Sequence, residues 1–238
     1  MTPAGIITEV RRLLQDSDTT QRYSDTVLLG FVNQTLKRIA LLRPDLFARQ
    51  TTMTCETNAV VQSAPNDSYR MMDVFSVVNG AGVTETTREQ LDHARPTWVS
   101  DTAATAENWM RHLRNPNKFF IYPKSTAGQQ LNIEYSQTPI DYASGDTILF
   151  IPETYFPSVV DGTVFLAESI DNEHVNSGRA KLFYDSFIQG LSGSASNRLI
   201  ADSESAGENQ KDIIEFADFV FAKIKMRYWH TDKVPTFH

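Results

Sequence analysis

The groups in this chain that could do chemistry are its carboxylates, a single thiol and five histidines. Glu134, Asp141, Asp146 and Glu153 crowd one stretch. Two such carboxyls facing one cleft would suit the acid and base roles of glycan cleavage, and their separation is fixed only by the fold. Glu173-His174 has the residue types of a metal or proton-transfer site. A helix-borne zinc needs further ligands at set spacing, such as two His four apart, and none follows. Cys55 stands alone in a strand-like run, where a free Cys is ordinarily a small buried hydrophobe and not a nucleophile. Gly190-Leu191-Ser192-Gly193-Ser194 misses the nucleophile-elbow pattern because position 194 is Ser, and no Gly-rich phosphate loop occurs. The expectation is a non-enzyme with no catalytic residues, no metal and no cofactor.

The elements that would position these residues fall in a clear order. Thr2 before Pro3, then Ile6, Val10, Leu13 and Leu14 at helical spacing, predicts a first helix ending near Asp16. After a polar loop, Ser24 and Asp25 cap a longer helix with Leu28, Phe31, Val32, Leu36, Ile39 and Ala40 on one stripe, stopped by Arg43-Pro44-Asp45. Residues 48–150 turn to β-branched and aromatic runs broken by turn formers, which predicts strands at 50–55, 58–62, 69–78, 118–122, 130–136 and 147–151. Leu131, Ile133 and Tyr135 alternate onto one buried face. Asn79-Gly80 predicts a tight turn, and Thr86-Thr87-Arg88-Glu89 a capping box with a short helix to Asp92. Trp98 and Trp109 fall in the long connection that follows and are expected to plug the sheet's apolar face.

A second helical hairpin follows. One helix carries Val159, Val160, Val164, Leu166, Ala167 and Ile170; the other carries Ala180, Phe183, Tyr184, Phe187, Ile188 and Leu191, joined by Asp171-Asn172-Glu173-His174. Beyond Leu191 the Ser, Gly, Ala and Asn content predicts a flexible linker to residue 209. A last helix then shows Ile213, Phe216, Ala217, Val220, Phe221 and Ile224 on one face, with acids near its start and bases near its end. Two hairpins flanking a strand-rich insert bury their stripes most simply against each other. The expected fold is therefore α+β: a helical bundle from residues 1–47 and 152–191, an inserted antiparallel β domain at 48–151, and a C-terminal helical arm at 192–238.

Charge narrows the function. The net charge of −7 is distributed as +2 over residues 1–50, −8 over 51–191 and −1 over 192–238. Tight nucleic-acid binding needs clustered Lys and Arg to release counterions, so a DNA-binding role is poorly supported; an acidic middle would keep passing DNA from sticking. With one Cys there is no disulfide framework, and the opening MTPAGIITEVRRLL is broken by Glu9, Arg11 and Arg12, so neither a secretory leader nor a membrane span is expected. A reducing, aqueous compartment follows.

The opening GIITEVRRLLQDSD…RYSDTVLLGFVNQTLKRIALLRPDLF resembles the start of head-to-tail adaptor proteins of short-tailed bacteriophages, also called connector, tail tubular or gatekeeper proteins. FFIYPKSTAGQQLNIEYSQTP, FIPETYFPSVVDGTVFLAESIDNE and GRAKLFYDSFIQGL follow in that family's order, so the resemblance covers roughly residues 1–191. It implies a structural virion protein at the head-tail junction, made in the host cytoplasm. Copies, about twelve, would form a ring beneath the portal. That ring would retain the packaged DNA, let it pass through the lumen without specific binding, and offer a platform to the tail nozzle or tube. Phe216, Val220, Phe221, Ile224, Tyr228, Trp229 and Phe237 are the expected portal-binding residues, because aromatic anchors are enriched at interfaces. The alternatives are a nucleic-acid-binding packaging factor and a glycan-cleaving tail protein.

Overall fold

The computed structural model describes residues 1–16, 21–170 and 177–199. The chain divides into two units, Met1–Ile188 and Gln189–His238; of the second, residues 189–199 are described and are helical.

The first two of the four longer helices start where a side chain caps them. In α1 (Pro3–Leu14) the Thr2 hydroxyl accepts the Gly5 N–H at 3.2 Å, and Gln15 closes the helix at φ 56°. Ser24 caps α2 (Asp25–Leu42) by accepting the Val27 N–H. A short helix, α3 (Arg88–Ala94), lies within the β region, and α4 (Phe156–Glu168) and α5 (Ser177–Leu199) follow it. Ile6, Val10, Leu28, Val32, Leu36, Ile39, Val159 and Val164 are buried where α1, α2 and α4 meet. Each such side chain contributes roughly 1.5–3 kcal/mol of burial.

The approach of α4 to α2 is tightest at Gly162, where an added Cβ would lie 2.7 Å from Thr35 Cγ2 and 2.9 Å from the Phe187 ring. Beside it, the buried Thr163 hydroxyl donates to the Val159 carbonyl at 2.7 Å. The α1–α2 hairpin is tied by Arg11, whose guanidinium donates to Asp16 (2.6 Å), to Asp25 (2.6 Å) and to the Tyr23 carbonyl (2.9 Å). Asp16 in turn accepts the Arg22 N–H at 2.6 Å.

The β region forms two facing sheets and a small third one. The first has the order β1 (Ala48–Thr54), β9 (Gln130–Gln137), β3 (Ser68–Val77), all antiparallel. The second has the order β2 (Val61–Ser63), β7 (Lys118–Tyr122), β6 (Asn108–Arg111), β4 (Thr84–Glu85). The third pairs β5 (Thr102–Ala103) with β8 (Lys124–Ser125). Met71, Val74, Leu131, Ile133 and Tyr135 from the first sheet pack on Trp109, Phe119 and Ile121 from the second. The opposite face of the second sheet turns Met110 and Tyr122 against Trp98 and Leu91 of α3. Thus β7, reading Lys-Phe-Phe-Ile-Tyr, is apolar on both faces because both are covered.

The mixed α+β class is as expected, and several details differ from the sequence reading. Residues 147–151 form no strand: the Ile148 N–H donates to the Met1 carbonyl, and the run wraps the helices with Ile148 and Ile151 buried. The second strand begins at Val61 instead of residue 58, because Asn58 sits at φ 57° in a turn. Trp109 lies on β6, a strand too short to show alternation, and not in a connection. Two short pairings, β4 with β6 and β5 with β8, are parallel. The capping box is Thr87 with Gln90, one residue beyond the expected pair, and α3 runs to Ala94. At the Asn79-Gly80 turn only Asn79 takes positive φ (55°). Helix α5 continues to Leu199 where a linker was expected from residue 192. The Asp171–His174 connection and the arm residues Phe216 to Phe237 lie outside the described residues.

Gly162→Ala tests the helix contact. Alanine ordinarily stabilises a helix interior by about 1 kcal/mol over glycine; here overpacking should reverse the sign and cost about 1–3 kcal/mol. Chemical denaturation of the purified chain reads the difference, and a stabilised variant would contradict the packing.

Candidate functional site

The carboxylates singled out by sequence are held apart, each by its own partner. Glu134 lies mid-β9 on the solvent side of the first sheet, accepting from the Gln50 side chain at 3.3 Å. Asp141 pairs with Lys37 at 2.6 Å on the outside of α2. Asp146 accepts the Ala143 N–H at 2.7 Å inside a turn, and Glu153 is exposed beside the Met1 amine. Their partners are the ordinary ones of turns and surface pairs. The Cys55 thiol is buried, and desolvation pushes it up to about 11, against a smaller opposing effect of its hydrogen bond with Gln129. Such a thiol is a poor nucleophile. Residues 190–194 are helical, which denies them the strand-to-helix turn of an elbow. Among the described residues no group of three His, Cys, Asp or Glu is placed to hold a metal ion, and Glu173-His174 falls outside them.

Buried charge appears instead at the hairpin end of the helices. Glu168, at the end of α4, is 2% exposed and is flanked by Arg22 at 3.4 Å and by Arg179 of α5 at 3.8 Å. Arg179 also donates to the Leu13 carbonyl at the end of α1, and the Tyr23 hydroxyl donates to the Ala167 carbonyl at 2.8 Å. One cluster therefore fastens the ends of α1 and α4 to the starts of α2 and α5. Burying a charge is costly, and the two arginines offset that cost at Glu168. Further along, burial raises the Asp161 carboxyl while a 2.6 Å hydrogen bond from Ser186 opposes the rise.

The solvent side of the first sheet carries a shallow concavity of about 440 Å³ lined by Gln50, Thr51, Thr52, Phe75, Ser76, Asn132 and Ile133. No formal charge lines it. Phe75 is 40% exposed there, and elsewhere Ile140, Leu149 and Phe150 are exposed along the wrap. Compared with known protein families, residues 1–210 match the family described as SU10 adaptor protein.

The chain belongs to the SU10 adaptor protein family. That makes it a phage adaptor, a structural component of the virion, in agreement with the resemblance seen in its opening residues. No curated protein matches the chain. Among the described residues no helix is long and apolar enough to cross a membrane. The adaptor's expected portal-binding residues, Phe216, Val220, Phe221, Ile224, Tyr228, Trp229 and Phe237, lie outside the described residues.

What sequence reasoning missed in this adaptor is the Arg22–Glu168–Arg179 cluster and the concavity with uncharged lining beside β1. Glu168 closes an apolar run, so its place at a helix end reads from sequence as solvated. The signal that could have found it was Ala167-Glu168, a charge at a position in phase with the buried stripe of Val160 and Val164.

The thiol gives a direct check. Cys55 should resist an aromatic disulfide reagent at pH 8 and react within seconds once the adaptor is unfolded. Because its folded value lies above the ordinary 9.0, the unfolded chain ionises first as pH climbs from about 9 toward 11, and stability should fall across that window. Rapid labelling of the folded protein would refute the burial.

Proposed function

We propose that this adaptor acts as one seat of a closed ring, about twelve copies, seated beneath the portal after packaging. The ring retains the DNA, lets it through without specific binding, and presents a platform to the tail nozzle or tube. In this reading residues 1–47 and 152–191 make a helical bundle that packs beside its neighbours around the lumen. Residues 48–151 form the β body facing the tail, and residues 192–238 reach the portal as a docking arm.

Membership of the adaptor family over residues 1–210 is the observation that carries the proposal. The charge distribution supports it: the stretch that holds the β body, residues 51–191, carries a net charge of −8, which disfavours trapping of passing phosphates. The scattered, individually engaged carboxylates also favour it over glycan cleavage.

Electron microscopy of the adaptor mixed with portal tests the ring. Closed rings capping the portal are expected, and single subunits on portal at saturation would overturn the proposal. Deleting residues 207–238 should abolish co-sedimentation with portal while circular dichroism of the body is unchanged; undiminished co-sedimentation would remove the arm from the account.

A further inference from the structure

We propose that the open edge of β1 seats an extended segment of the tail-side protein, which adds a fourth strand to the first sheet. The inference rests on the head-to-tail reading above and names where that partner binds.

The two edges of this sheet are treated differently. At β3 the edge is shut: the Met71 N–H donates to the Pro116 carbonyl, Arg111 donates to the Met72 carbonyl, and the Val83 N–H donates to the Phe75 carbonyl. Register shifts at three points further roughen that strand. At β1 none of this occurs among the described residues; β9 is its one neighbour. Natural edges are usually blunted by proline, lysine, bulges or shortness. Here seven residues, Ala-Arg-Gln-Thr-Thr-Met-Thr, pair with β9 without a shift and offer a single charge, Arg49, near the start.

Parity shows which groups are on offer. The Cys55 N–H donates to the Gln129 carbonyl at 2.8 Å, one step beyond the Thr54–Gln130 pair, so odd-numbered residues of β1 bond to β9. The main-chain groups of Gln50, Thr52 and Thr54 therefore point to the open side. That row is what an added strand recognises.

The surroundings describe the occupant. Beside the edge lies the uncharged concavity of Gln50, Thr52, Phe75 and Asn132. Past Ala48, Phe47 stacks on the partly exposed Phe150 at 6.4 Å, next to Leu149, which is 81% exposed. An uncharged extended segment with an apolar residue at the Ala48 end fits both. A second copy fits poorly. At the edge of the second sheet lies β2, which follows β1 through the turn at Glu56–Ala59, a turn held by the Gln62 side chain. Copies could pair β1 with β1 only about a twofold axis, whereas a ring needs head-to-tail contacts.

Amide hydrogen exchange on three samples decides it: the free adaptor, rings assembled on portal, and those rings with the tail nozzle protein of the same particle added. The amides of Gln50, Thr52 and Thr54 should slow by about tenfold or more in the third sample only. Protection already present in rings without nozzle would assign the edge to a second copy and overturn the proposal. So would nozzle binding that leaves these amides fast. Failure to form rings at all would sink the head-to-tail reading itself, a result distinct from either. Thr52→Pro removes only an outward amide, so it should keep the body folded and abolish nozzle binding; if it fails to fold, the double variant Gln50→Lys, Thr52→Lys carries the same expectation. Unchanged nozzle affinity in a folded variant would refute the seat.

Discussion

The contact between α4 and α2 at Gly162 governs the rest of the first unit. With no side chain at that position, the two backbones approach until Thr35 and the Phe187 ring fill the space a Cβ would take. Van der Waals packing is steep at such distances, so the helices have one relative placement and little freedom around it. That placement brings together two points more than a hundred residues apart in sequence, and the whole β body hangs between them. Its outgoing chain leaves α2 at Leu42, and its returning chain is fastened back along the same helix, where Lys37 meets Asp141 and Asn33 exchanges hydrogen bonds with the Tyr142 backbone.

Within the body the same economy of faces recurs. Strand β9 sits between β1 and β3, turning Leu131, Ile133 and Tyr135 inward, and Tyr135 reaches Asp67 with its hydroxyl so that the ring is buried while its polar end is satisfied. Burial and that hydrogen bond together raise the phenol above its ordinary value. Across the core, β7 is apolar on both faces, with Phe119 and Ile121 buried on one and Tyr122 buried and Phe120 half-buried on the other. A body built this way buries most of its large apolar side chains between the two sheets and leaves a few, Phe75 and Leu113 among them, open to solvent.

How much of this was legible depends on how local the cause is. Thr2, Ser24 and the apolar stripes announced α1 and α2 to within a residue or two, because caps and a 3.6-residue period act within one or two turns, whereas the stripe of α4 was read on to Ile170, two residues past the helix end and exposed. Strands β3, β7 and β9 were equally plain. Residues 147–151 had strand composition and no strand, since pairing needs a free neighbour and Ile148 spends its N–H on Met1. Trp109 was misplaced because a four-residue strand cannot display alternation. The Glu168 cluster and the open edge of β1 were invisible: one depends on helices meeting across the β insertion, the other on strand order, and neither is written in any short window.

The two fastenings of the body to the helices and of the helices to each other differ in kind. Arg11 is 13% exposed and grips the fully shielded Asp16, whereas Lys37 and Asp141 stand 47% and 67% open. Mobile ions damp exposed pairs over about 8–10 Å and reach shielded ones far less. Brine therefore acts on this molecule selectively: it slackens the strap that runs from the β body along α2 and leaves the clasp between the first two helices closed.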